Sequence, residues 1–580
     1  MEVRSTDVLI VGCGGAGCRA AIEAKKVKVD VLMLCRGKLG VDGCTPNSAS
    51  EWMAYSVALG LGDPNDSPEE HLKDIVNTGA YVLNQELAKI IAYEAVDRFY
   101  ELVSYGVPFL KSNDGKFLQL MSDGATYPRA CGTGADTGKR IMEVLTKVVR
   151  DSGVEVQENF MVVDLIVDQN RCYGVVGVDV NKLEPKVFIA KSVVLATGGL
   201  GDIFTHSVYP KGMSGDGYAM ALRAGARVVN MEFMQIGPCV TSNVKFDVGG
   251  PLWKLGPKLY NKDGDEFLWR YLPSGVDIYD IYRWKSVTFP FTTRNPSGII
   301  DVACFTEIFE GRGTPDGCVF FDLSHVGDEV VDKAPYAWKF LSMHGLDLRK
   351  GPIKIAPAVQ HLNGGVLINE RAESDIRGLY AAGEVAGGQH GSDRPGGNSL
   401  ADCQVFGARA GRYAAEFARN SNIGNEWSNV SEKIIDNINS IAELSGSHDP
   451  KKVKDELKGI LWLNATVIRS GESLSKALND IIRYRNEVLP NVEVRGKNLI
   501  TALELRNMVD TSIAMLTAML FRKESRGGHY RVDFPFRDDF NWVKIIAIRK
   551  VGNEYSTELI EPKFTVLSPT PKIIPAFWYR

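Results

Sequence analysis

A glycine-rich hexapeptide near the start of the chain has the spacing that holds a diphosphate. Gly12, Gly14 and Gly17 end the short apolar run 6–12 and open the helical pattern of 18–27. The first glycine allows a tight turn, the second lets the backbone approach a pyrophosphate, and the third permits close packing of helix on strand. The diphosphate would lie at the helix N-terminus, where free N–H groups favour negative charge. We therefore expect a dinucleotide-binding site.

The end of the second strand indicates which dinucleotide binds. The apolar run 29–35 arrives at the distance that completes a strand–helix–strand unit. In NAD sites such a strand ends in an acidic residue that binds the adenosine ribose. This chain instead reads Leu34-Cys35-Arg36. The missing carboxylate favours FAD, held by backbone groups and a basic residue.

The composition excludes several classes of function. The chain has 580 residues, enough for three or four domains, and its 44% hydrophobic and 24% charged residues are typical of a soluble globular protein. Lys and Arg total 67 against 71 Asp and Glu, so no basic surplus indicates nucleic acid. We also expect no transmembrane segment of its own and a cytoplasmic location, because no apolar run approaches about 18 residues.

The cysteines give no sign of a metal centre. Ten are present, without a CxxC pair or a cluster of four at iron–sulfur spacing. We expect no iron–sulfur cluster or zinc in this chain. Most of the cysteines should be reduced, buried, small hydrophobic residues.

Three later motifs, together with the glycine-rich opening, carry a family resemblance. They are SVVLATGGLGDIF (192–204), a strand–loop–helix pattern with a Gly-rich loop (378–415), and a helix followed by ESRGGHYRVDFPFRDDFNW (502–542). In this order they resemble the flavoprotein subunits of succinate dehydrogenase and fumarate reductase. L-aspartate oxidase belongs to the same family and adenylylsulfate reductase is a more distant relative. The likeness covers nearly the whole chain.

The resemblance implies an α/β fold with a Rossmann-like FAD-binding domain in two parts. These parts would be residues 1–234 and 356–420, with an inserted α+β capping domain at 235–355. A helical domain at 421–530 and a C-terminal tail at 531–580 would follow. Apolar residues at i, i+3 and i+4 after residue 420 also predict packed helices there.

The resemblance also indicates which residues contact FAD. Glu384 would accept a hydrogen bond from a ribityl hydroxyl, and the helix that begins near Asn398 would direct N–H groups at the isoalloxazine. The full set is Gly12, Gly14, Gly15, Ala16, Gly17, Cys35, Arg36, Gly43, Cys44, Ala196, Thr197, Gly198, Asp216, Glu384, Asn398, Ser399 and Leu400.

One departure from the family concerns how FAD is held. Many relatives attach FAD covalently through a histidine that follows the second strand. Counting from the shared Ala58-Leu59-Gly60, this chain has Asn47 at that position. An amide cannot form the linkage, so we expect non-covalent FAD.

The substrate-binding motifs differ at one end and are kept at the other. Gly237 replaces a histidine that contacts a substrate carboxylate in relatives, and Gly249-Gly250 replaces a Thr-Glu pair. We interpret both changes as leaving space, and hence as favouring a substrate bulkier or less charged than fumarate. The retained His390 and Arg394 would bind the other carboxylate, Arg394 by two parallel charge-assisted bonds.

The proton donor stays open at this point. Relatives use an arginine of the cap, and the matching stretch 295–300 lacks it. Arg294 is one candidate, because the chain carries an insertion there. Tyr282, Arg283 and His361 are alternatives, and tyrosine and histidine donate protons more readily than arginine at ordinary pKa values.

These observations predict an FAD-dependent oxidoreductase. We expect hydride exchange between flavin N5 and a C=C or C–C bond beside an acyl or carboxyl group, on a small-molecule substrate other than fumarate. Alternatives are fumarate reductase or succinate dehydrogenase, L-aspartate oxidase, an adenylylsulfate-reductase-like enzyme, and a non-catalytic electron-transfer subunit. Electrons would arrive from a separate iron–sulfur or other electron-transfer subunit, through which membrane association could occur.

Overall fold

The computed structural model describes residues 2–242 and 244–577. Its strands are β1 (Val3–Val11), β2 (Val31–Leu34), β3 (Ala54–Ser56), β4 (Ala130–Gly132), β5 (Glu155–Gln157), β6 (Phe160–Asp168), β7 (Arg171–Asp179), β8 (Pro185–Leu195), β9 (Val228–Val229), β10 (Met234–Val240), β11 (Phe246–Asp247), β12 (Lys258–Tyr260), β13 (Val319–Asp322), β14 (Ile353–Leu362), β15 (Gly365–Leu367), β16 (Leu379–Ala381), β17 (Ala386–Gly387), β18 (Phe536–Asp538), β19 (Ile545–Val551), β20 (Glu554–Ile560) and β21 (Ile573–Pro575).

Its α-helices are α1 (Gly15–Lys26), α2 (Cys44–Asn47), α3 (Pro68–Thr78), α4 (Gln85–Tyr105), α5 (Thr137–Asp151), α6 (Asp216–Arg223), α7 (Gly250–Trp253), α8 (Ile278–Lys285), α9 (Gly298–Phe309), α10 (Glu329–Lys333), α11 (Pro335–Met343), α12 (Asn398–Arg419), α13 (Trp427–Ala442), α14 (Pro450–Ala465), α15 (Gly471–Arg483) and α16 (Asn498–Phe521).

The first sheet supports the glycine-rich loop. Its strand order is β5-β2-β1-β8-β7-β6, and β16 also pairs with β8. Strand β1 runs parallel to both β2 and β8, and its residues Val8–Val11 are buried. A parallel strand covered on both faces requires such a continuous apolar run. Helices α1 and α12 pack on each other and on β1. The loops after β1, β2 and β8 therefore meet at one edge.

A second sheet has a hydrophobic core of its own. Its order is β11-β10-β14-β13-β12, and its neighbouring strands are antiparallel. Trp253, Phe321 and Leu341 are fully buried in that core, and the indole of Trp253 donates a 2.7 Å hydrogen bond to the Val248 carbonyl. Helices α7 to α11 belong to the same stretch of chain. This unit supplies β11 and β14 to the site.

The C-terminal third combines a helical bundle with strands that join a third sheet. Helix α16 is apolar around most of its circumference and packs against α14, α15 and α6, which explains its burial. Strands β19 and β20 then join β9 in a third sheet of order β17-β15-β9-β19-β20. No helix within the described ranges is long and apolar enough to cross a membrane.

Candidate functional site

A cavity of about 880 Å³ opens at the carboxyl ends of β1, β2 and β8. It is bordered by the loops after these strands, by the start of α12, and by β11 and β14 of the second sheet. Ligands of open α/β sheets bind at this edge, because helix N-termini and flexible loops converge there. The cavity thus connects the predicted dinucleotide site with the predicted substrate site.

The glycine-rich loop has the geometry that its spacing predicts. Gly12 has φ +110°, and a Cβ there would lie 2.2 Å from the carbonyl oxygen of Ala196. A Cβ on Gly17 would lie 2.0 Å from the carbonyl oxygen of Gly12. Helix α1 begins at Gly15, and Gly14 at its N-cap has no side chain to cap it. The Gly15 N–H donates to Thr45 Oγ1 at 3.2 Å, and the rest of the first turn leaves N–H groups for an anion in the cavity.

A second helix begins at the same cavity. Helix α12 follows Gly397, which has φ +82°, and no side chain caps its first turn. The buried Oγ1 of Thr197 and Nδ2 of Asn398 have no hydrogen-bond partner among the described residues. Buried polar atoms are rarely left unpaired in a native protein. Two uncapped helix N-termini and these unpaired atoms fit a ligand with a diphosphate and a polar ring system, as FAD has.

A carboxylate from α6 lies beside Arg36 at the end of β2. Asp216, the first residue of α6, lines the cavity, and Arg36 Nη1 lies 3.3 Å from Asp216 Oδ2. Arg36 Nη1 also donates to the Gly212 carbonyl at 2.6 Å. The sequence around β2 could not reveal this carboxylate, because it reaches the site from 180 residues further along the chain.

Glu384 lies at the centre of the cavity wall. One carboxylate oxygen accepts the N–H of Leu362 at 2.9 Å and the hydroxyl of Tyr209. Burial raises the pKa of Glu384 to about 7, against the effect of these hydrogen bonds and of Arg394. The carboxyl group is thus close to half ionised at neutral pH and is suited to accept a hydroxyl hydrogen bond.

All but two of the residues predicted to contact FAD line this cavity. Gly17 instead packs beneath Gly12, and Asn398 lies buried beside His71, whose Nε2 is 2.8 Å from Asn398 Oδ1. Those that line the cavity are Gly12, Gly14, Gly15, Ala16, Cys35, Arg36, Gly43, Cys44, Ala196, Thr197, Gly198, Asp216, Glu384, Ser399 and Leu400.

Asn47 has a structural role in the loop after β2. Its Nδ2 donates to the carbonyls of Val41 and Gly43 at 2.8 and 2.9 Å. Asn47 also lines the cavity. It therefore holds the loop that contains Gly43 and Cys44.

Two cysteines face each other across the glycine-rich loop. Strands β1 and β2 are neighbours, so Cys13 and Cys35 lie just beyond their adjacent ends with Cα atoms 5.5 Å apart. Their sulfur atoms are adjacent, and the other eight cysteines are free, as expected for most of the ten. Adjacency across a parallel pair of strands is not visible in sequence spacing.

Arg394 is the buried cation of the cavity. It is 7% exposed, and Nη1 donates to the carbonyl of Pro395 at 2.9 Å. No carboxylate of the described chain forms an ion pair with it, and its Nε has no hydrogen-bond partner there. A buried charge needs a partner. The guanidinium is therefore placed to receive an anionic group from a ligand.

The two predicted histidines lie at different depths. His361 lines the cavity, with Nδ1 3.4 Å from Glu384 Oε1 and with no partner for Nε2 within the described ranges. His390 is buried behind Arg394, and its Nε2 lies 3.9 Å from Asp402 Oδ2. Burial, together with the charge of Arg394, holds the pKa of both imidazoles well below the ordinary value. Both rings are thus neutral at physiological pH.

The other candidate proton donors lie outside the cavity lining. Arg294 forms an ion pair with Asp393 at 2.7 Å. Arg294 therefore lies beside Arg394, but its guanidinium faces the carboxylate of Asp393. Tyr282 belongs to the hydrophobic core of the second sheet, and its hydroxyl donates to the carbonyl of Pro257. Arg283 is exposed and pairs with Asp280.

The interpretation that Gly237 and Gly249-Gly250 leave space is wrong for two of the three glycines. A Cβ on Gly237 would lie 2.6 Å from the ring of Phe289, and one on Gly250 would lie 2.1 Å from the carbonyl oxygen of Ser286. The segment after α8 folds back and fills the room that the family's side chains would take. Only Gly249 faces open space.

Sequence reasoning also missed three polar residues of the cavity wall. Asp123, Asp247 and Gln360 line the cavity near Arg394. Burial raises the pKa of both aspartates to about 6. An isolated aspartate in the apolar stretch before Gly249 was the only available signal for Asp247.

Comparison with protein families defines the class of protein. Residues 7–400 match the family described as FAD binding domain, and residues 454–572 match the family described as Fumarate reductase flavoprotein C-term. The first match alone covers more than half of the chain. The protein is an FAD-dependent oxidoreductase, which confirms the predicted cofactor and class.

More specifically, the chain belongs to the fumarate reductase and succinate dehydrogenase flavoprotein family. One subunit of the fumarate reductase (CoM/CoB) of Methanothermobacter marburgensis is 36% identical over 557 residues, which cover 92% of this chain and 95% of that protein. An L-aspartate oxidase of Synechocystis sp. is 28% identical over 563 residues, covering 92% and 95%. A quinol fumarate reductase structure from E. coli has a TM-score of 0.87 at 25% identity, covering 98% and 99%. The predicted family and α/β fold class are confirmed.

Proposed function

We propose that this enzyme adds hydrogen across a C=C bond next to a carboxyl or acyl group, on a small-molecule substrate other than fumarate. The observation that carries the proposal is the buried guanidinium of Arg394, which lines the cavity without an ion-pair partner in the described chain. A planar guanidinium binds a carboxylate by two parallel bonds. Binding there would hold the adjacent double bond at a fixed place in the cavity.

The chain's own residues position the reactants. The uncapped N-termini of α1 and α12 would hold the diphosphate and the ring system of FAD, which supplies or accepts a hydride when bound. Arg394 would orient the substrate carboxylate, and His390 would support Arg394 from behind. With Asn47 in place of an attaching histidine, FAD would be bound non-covalently.

Arg294 and His361 are the proposed residues for handling the proton. Arg294 reaches the edge of the substrate chamber through Asp393, which directly precedes Arg394. His361 presents an unpaired ring nitrogen to the cavity. The neutral imidazole of His361 can relay a proton between a substrate carbon and Glu384, whose carboxylate lies 3.4 Å away.

A substrate other than fumarate is supported by other groups that line the cavity with Arg394. Phe289 fills the place beside Gly237, and Asp123 and Asp247 add carboxyl groups. Lys245 and Lys254 also line the cavity. A second substrate carboxylate placed at Asp123 and Asp247 would meet an apolar ring and like charges. One carboxyl or acyl group is therefore the expected recognition element.

A separate iron–sulfur or other electron-transfer subunit is part of the proposal. The relative from M. marburgensis is named as one subunit of a fumarate reductase. We place the enzyme in the cytoplasm, with any membrane association made through that partner. Anaerobic mixing with reduced ferredoxin-type proteins should reduce the flavin, and failure with every such donor would contradict this part.

Product analysis tests the reaction. Chemically reduced holoenzyme is mixed anaerobically with unsaturated acids and acyl compounds, and the saturated products are identified by NMR. We expect a saturated product from at least one acid, and a large loss of yield in Arg394→Gln with its flavin content unchanged. Reduced flavin that no acid reoxidises faster than buffer does would instead favour a non-catalytic electron-transfer subunit.

Fumarate reduction is the second candidate. The 36% identical relative is named a fumarate reductase, and it covers 92% of this chain. Succinate formed from fumarate in the same assay, at a rate above that of every monoacid, would favour this candidate.

A further inference from the structure

The wall of the substrate chamber beside the segment that follows α2 carries a pair of polar side chains. Asp247 on β11 and Gln360 on β14 both line the cavity, and they come from strands that flank β10. The N–H of Asp247 donates to the carbonyl of Ala49 at 3.0 Å. Ala49 follows α2, so this bond fixes Asp247 against the loop that contains Cys44 and Asn47.

The hydrogen bonds of this pair have a definite direction. Gln360 Nε2 donates to Asp247 Oδ2 at 2.7 Å, and the thiol of Cys239 donates to Oδ1 at 3.3 Å. A carboxylate can only accept, so the amide nitrogen of Gln360 must face it. This leaves Gln360 Oε1, a buried atom without a partner in the described chain. Both Asp247 and Gln360 therefore offer acceptors to a ligand.

The charge of the Asp247 carboxylate also favours a ligand that donates hydrogen bonds. Asp247 is 5% exposed and forms no ion pair within the described ranges. Burial raises the pKa of Asp247 to about 6, while Gln360, Cys239 and Arg394 oppose the rise and Asp123 adds to it. Above this pH the carboxylate is ionised and repels a second anion. Below it, the protonated carboxyl can donate a hydrogen bond.

Unpaired polar atoms elsewhere in the chamber show that its ligand is polar. His361 is 5% exposed, and its Nε2 has no partner among the described residues. Arg394 is 7% exposed, with an unpaired Nε. Both side chains line the same cavity as Asp247 and Gln360. A ligand must satisfy both the cation of Arg394 and the two acceptors of Asp247 and Gln360.

We propose that the substrate is an acid that carries a hydrogen-bond-donating group, such as an amide, hydroxyl or ammonium, at the end that meets Asp247 and Gln360. This inference rests on the proposed function, because Arg394 must hold the carboxyl group for the far end to reach the pair. It names the substrate class within the proposed reaction. The acceptor pair selects against a dicarboxylate at neutral pH.

Binding to the oxidised holoenzyme tests this inference without turnover. Flavin absorbance is titrated with fumarate and with its monoamide, fumaramate, which has the same carbon frame. At pH 8 we expect fumaramate to bind at least tenfold more tightly. Lowering the pH to 5.5 should tighten fumarate binding several-fold, because Asp247 takes up a proton while fumarate stays a dianion. Fumaramate binding should change little over this range.

Matched variants assign the effect to Asp247. Asp247→Asn should remove the pH dependence of fumarate binding and bring the two dissociation constants within about threefold. Asp66→Asn is the control, since burial also raises the pKa of Asp66 to about 6, but Asp66 pairs with Arg129 and does not line the cavity. If Asp247→Asn does not fold, Gln360→Leu, which removes one acceptor, should weaken fumaramate binding and leave fumarate binding unchanged.

Three outcomes would overturn the inference. They are tighter binding of fumarate than of fumaramate by the wild-type enzyme at pH 8, an unchanged ratio in Asp247→Asn, and a pH dependence lost in Asp66→Asn instead. Titration with 4-hydroxybutyrate and 4-aminobutyrate distinguishes a hydroxyl from an ammonium donor. The proposed reaction would survive each of these results, because it fails only if no unsaturated acid reoxidises the reduced flavin.

Discussion

The cofactor end and the substrate end of the cavity are built by different means. At the cofactor end, glycines and uncapped helix N-termini offer backbone groups, as at Gly12, Gly17 and the start of α12. At the substrate end, side chains from distant segments converge, among them Arg394, Asp247 and Phe289. Backbone geometry tolerates little change, whereas a chamber of side chains can change its ligand while the fold is retained.

This contrast would let one fold keep its cofactor while its substrate changes. A Cβ on Gly237 would lie 2.6 Å from the ring of Phe289, which belongs to the segment after α8. A change in that segment would alter the chamber without moving β1, β2 or β8. Four variants test the difference between the two ends.

The largest effect is expected from Gly17→Val. A Cβ at this position would lie 2.0 Å from the carbonyl oxygen of Gly12, so the glycine-rich loop must shift. The variant should purify without flavin and with reduced stability, measured by flavin absorbance per chain and by thermal unfolding. Gly459→Ala is the matched control, because a Cβ on this residue of α14 meets open space. Full flavin content in Gly17→Val would show that the backbone does not dictate cofactor binding.

Arg394→Gln should affect the substrate end alone. Loss of two charge-assisted bonds to a carboxylate should lower kcat/KM by about a hundredfold or more. Flavin content should stay unchanged. Arg283→Gln serves as the control, since Arg283 is exposed, pairs with Asp280 and does not line the cavity. An equal loss in both variants, measured by steady-state kinetics, would contradict a specific role of Arg394 in binding the substrate.

The double variant Gly237→His, Phe289→Ala should convert the substrate end towards the family pattern. Phe289→Ala removes the ring that lies 2.6 Å from a Cβ at position 237, and the histidine then adds a donor for a second carboxylate. We expect kcat/KM for fumarate to rise about tenfold, the effect of one hydrogen bond to a charged group. Phe289→Ala alone opens space without a donor and should not give this gain.

Glu51→Gln should have the smallest effect. Glu51 accepts the N–H of Ala337 at the start of α11, and burial raises the pKa of Glu51 to about 7. Since the folded-state pKa is raised, this group's contribution to stability is present below its ordinary pKa of 4.5 and is lost as pH rises through about 7. The glutamine variant does not ionise. Its Tm relative to wild type should therefore increase between pH 5 and pH 8, by about 1–3 °C.

The sequence could predict what depends on neighbouring residues. The Gly12–Gly17 spacing, the apolar run of β1 and the uncapped start of α12 are local patterns, and the structure has the predicted elements there. The pairing of Asp216 with Arg36 depends on α6 returning to the end of β2, which no local pattern encodes.

The substrate end shows more clearly what the sequence could not predict. The sequence has a glycine at position 237, but it could not show that Phe289 occupies the adjacent space, because a loop from about 50 residues further along the chain has no locally encoded path. Asp247 and Gln360 are far apart in sequence and meet only because β11 and β14 share the sheet with β10. Long-range packing, rather than residue type, decides which groups face the ligand.

The most direct test of the account compares two anaerobic rates. Reduced holoenzyme is mixed in a stopped-flow instrument at pH 8 with fumarate, and separately with unsaturated monoacids such as fumaramate, while flavin reoxidation is followed. The account predicts that a monoacid reoxidises the flavin faster than fumarate does, and that acid denaturation afterwards releases free FAD. Faster reoxidation by fumarate, with flavin that stays on the polypeptide, would contradict it.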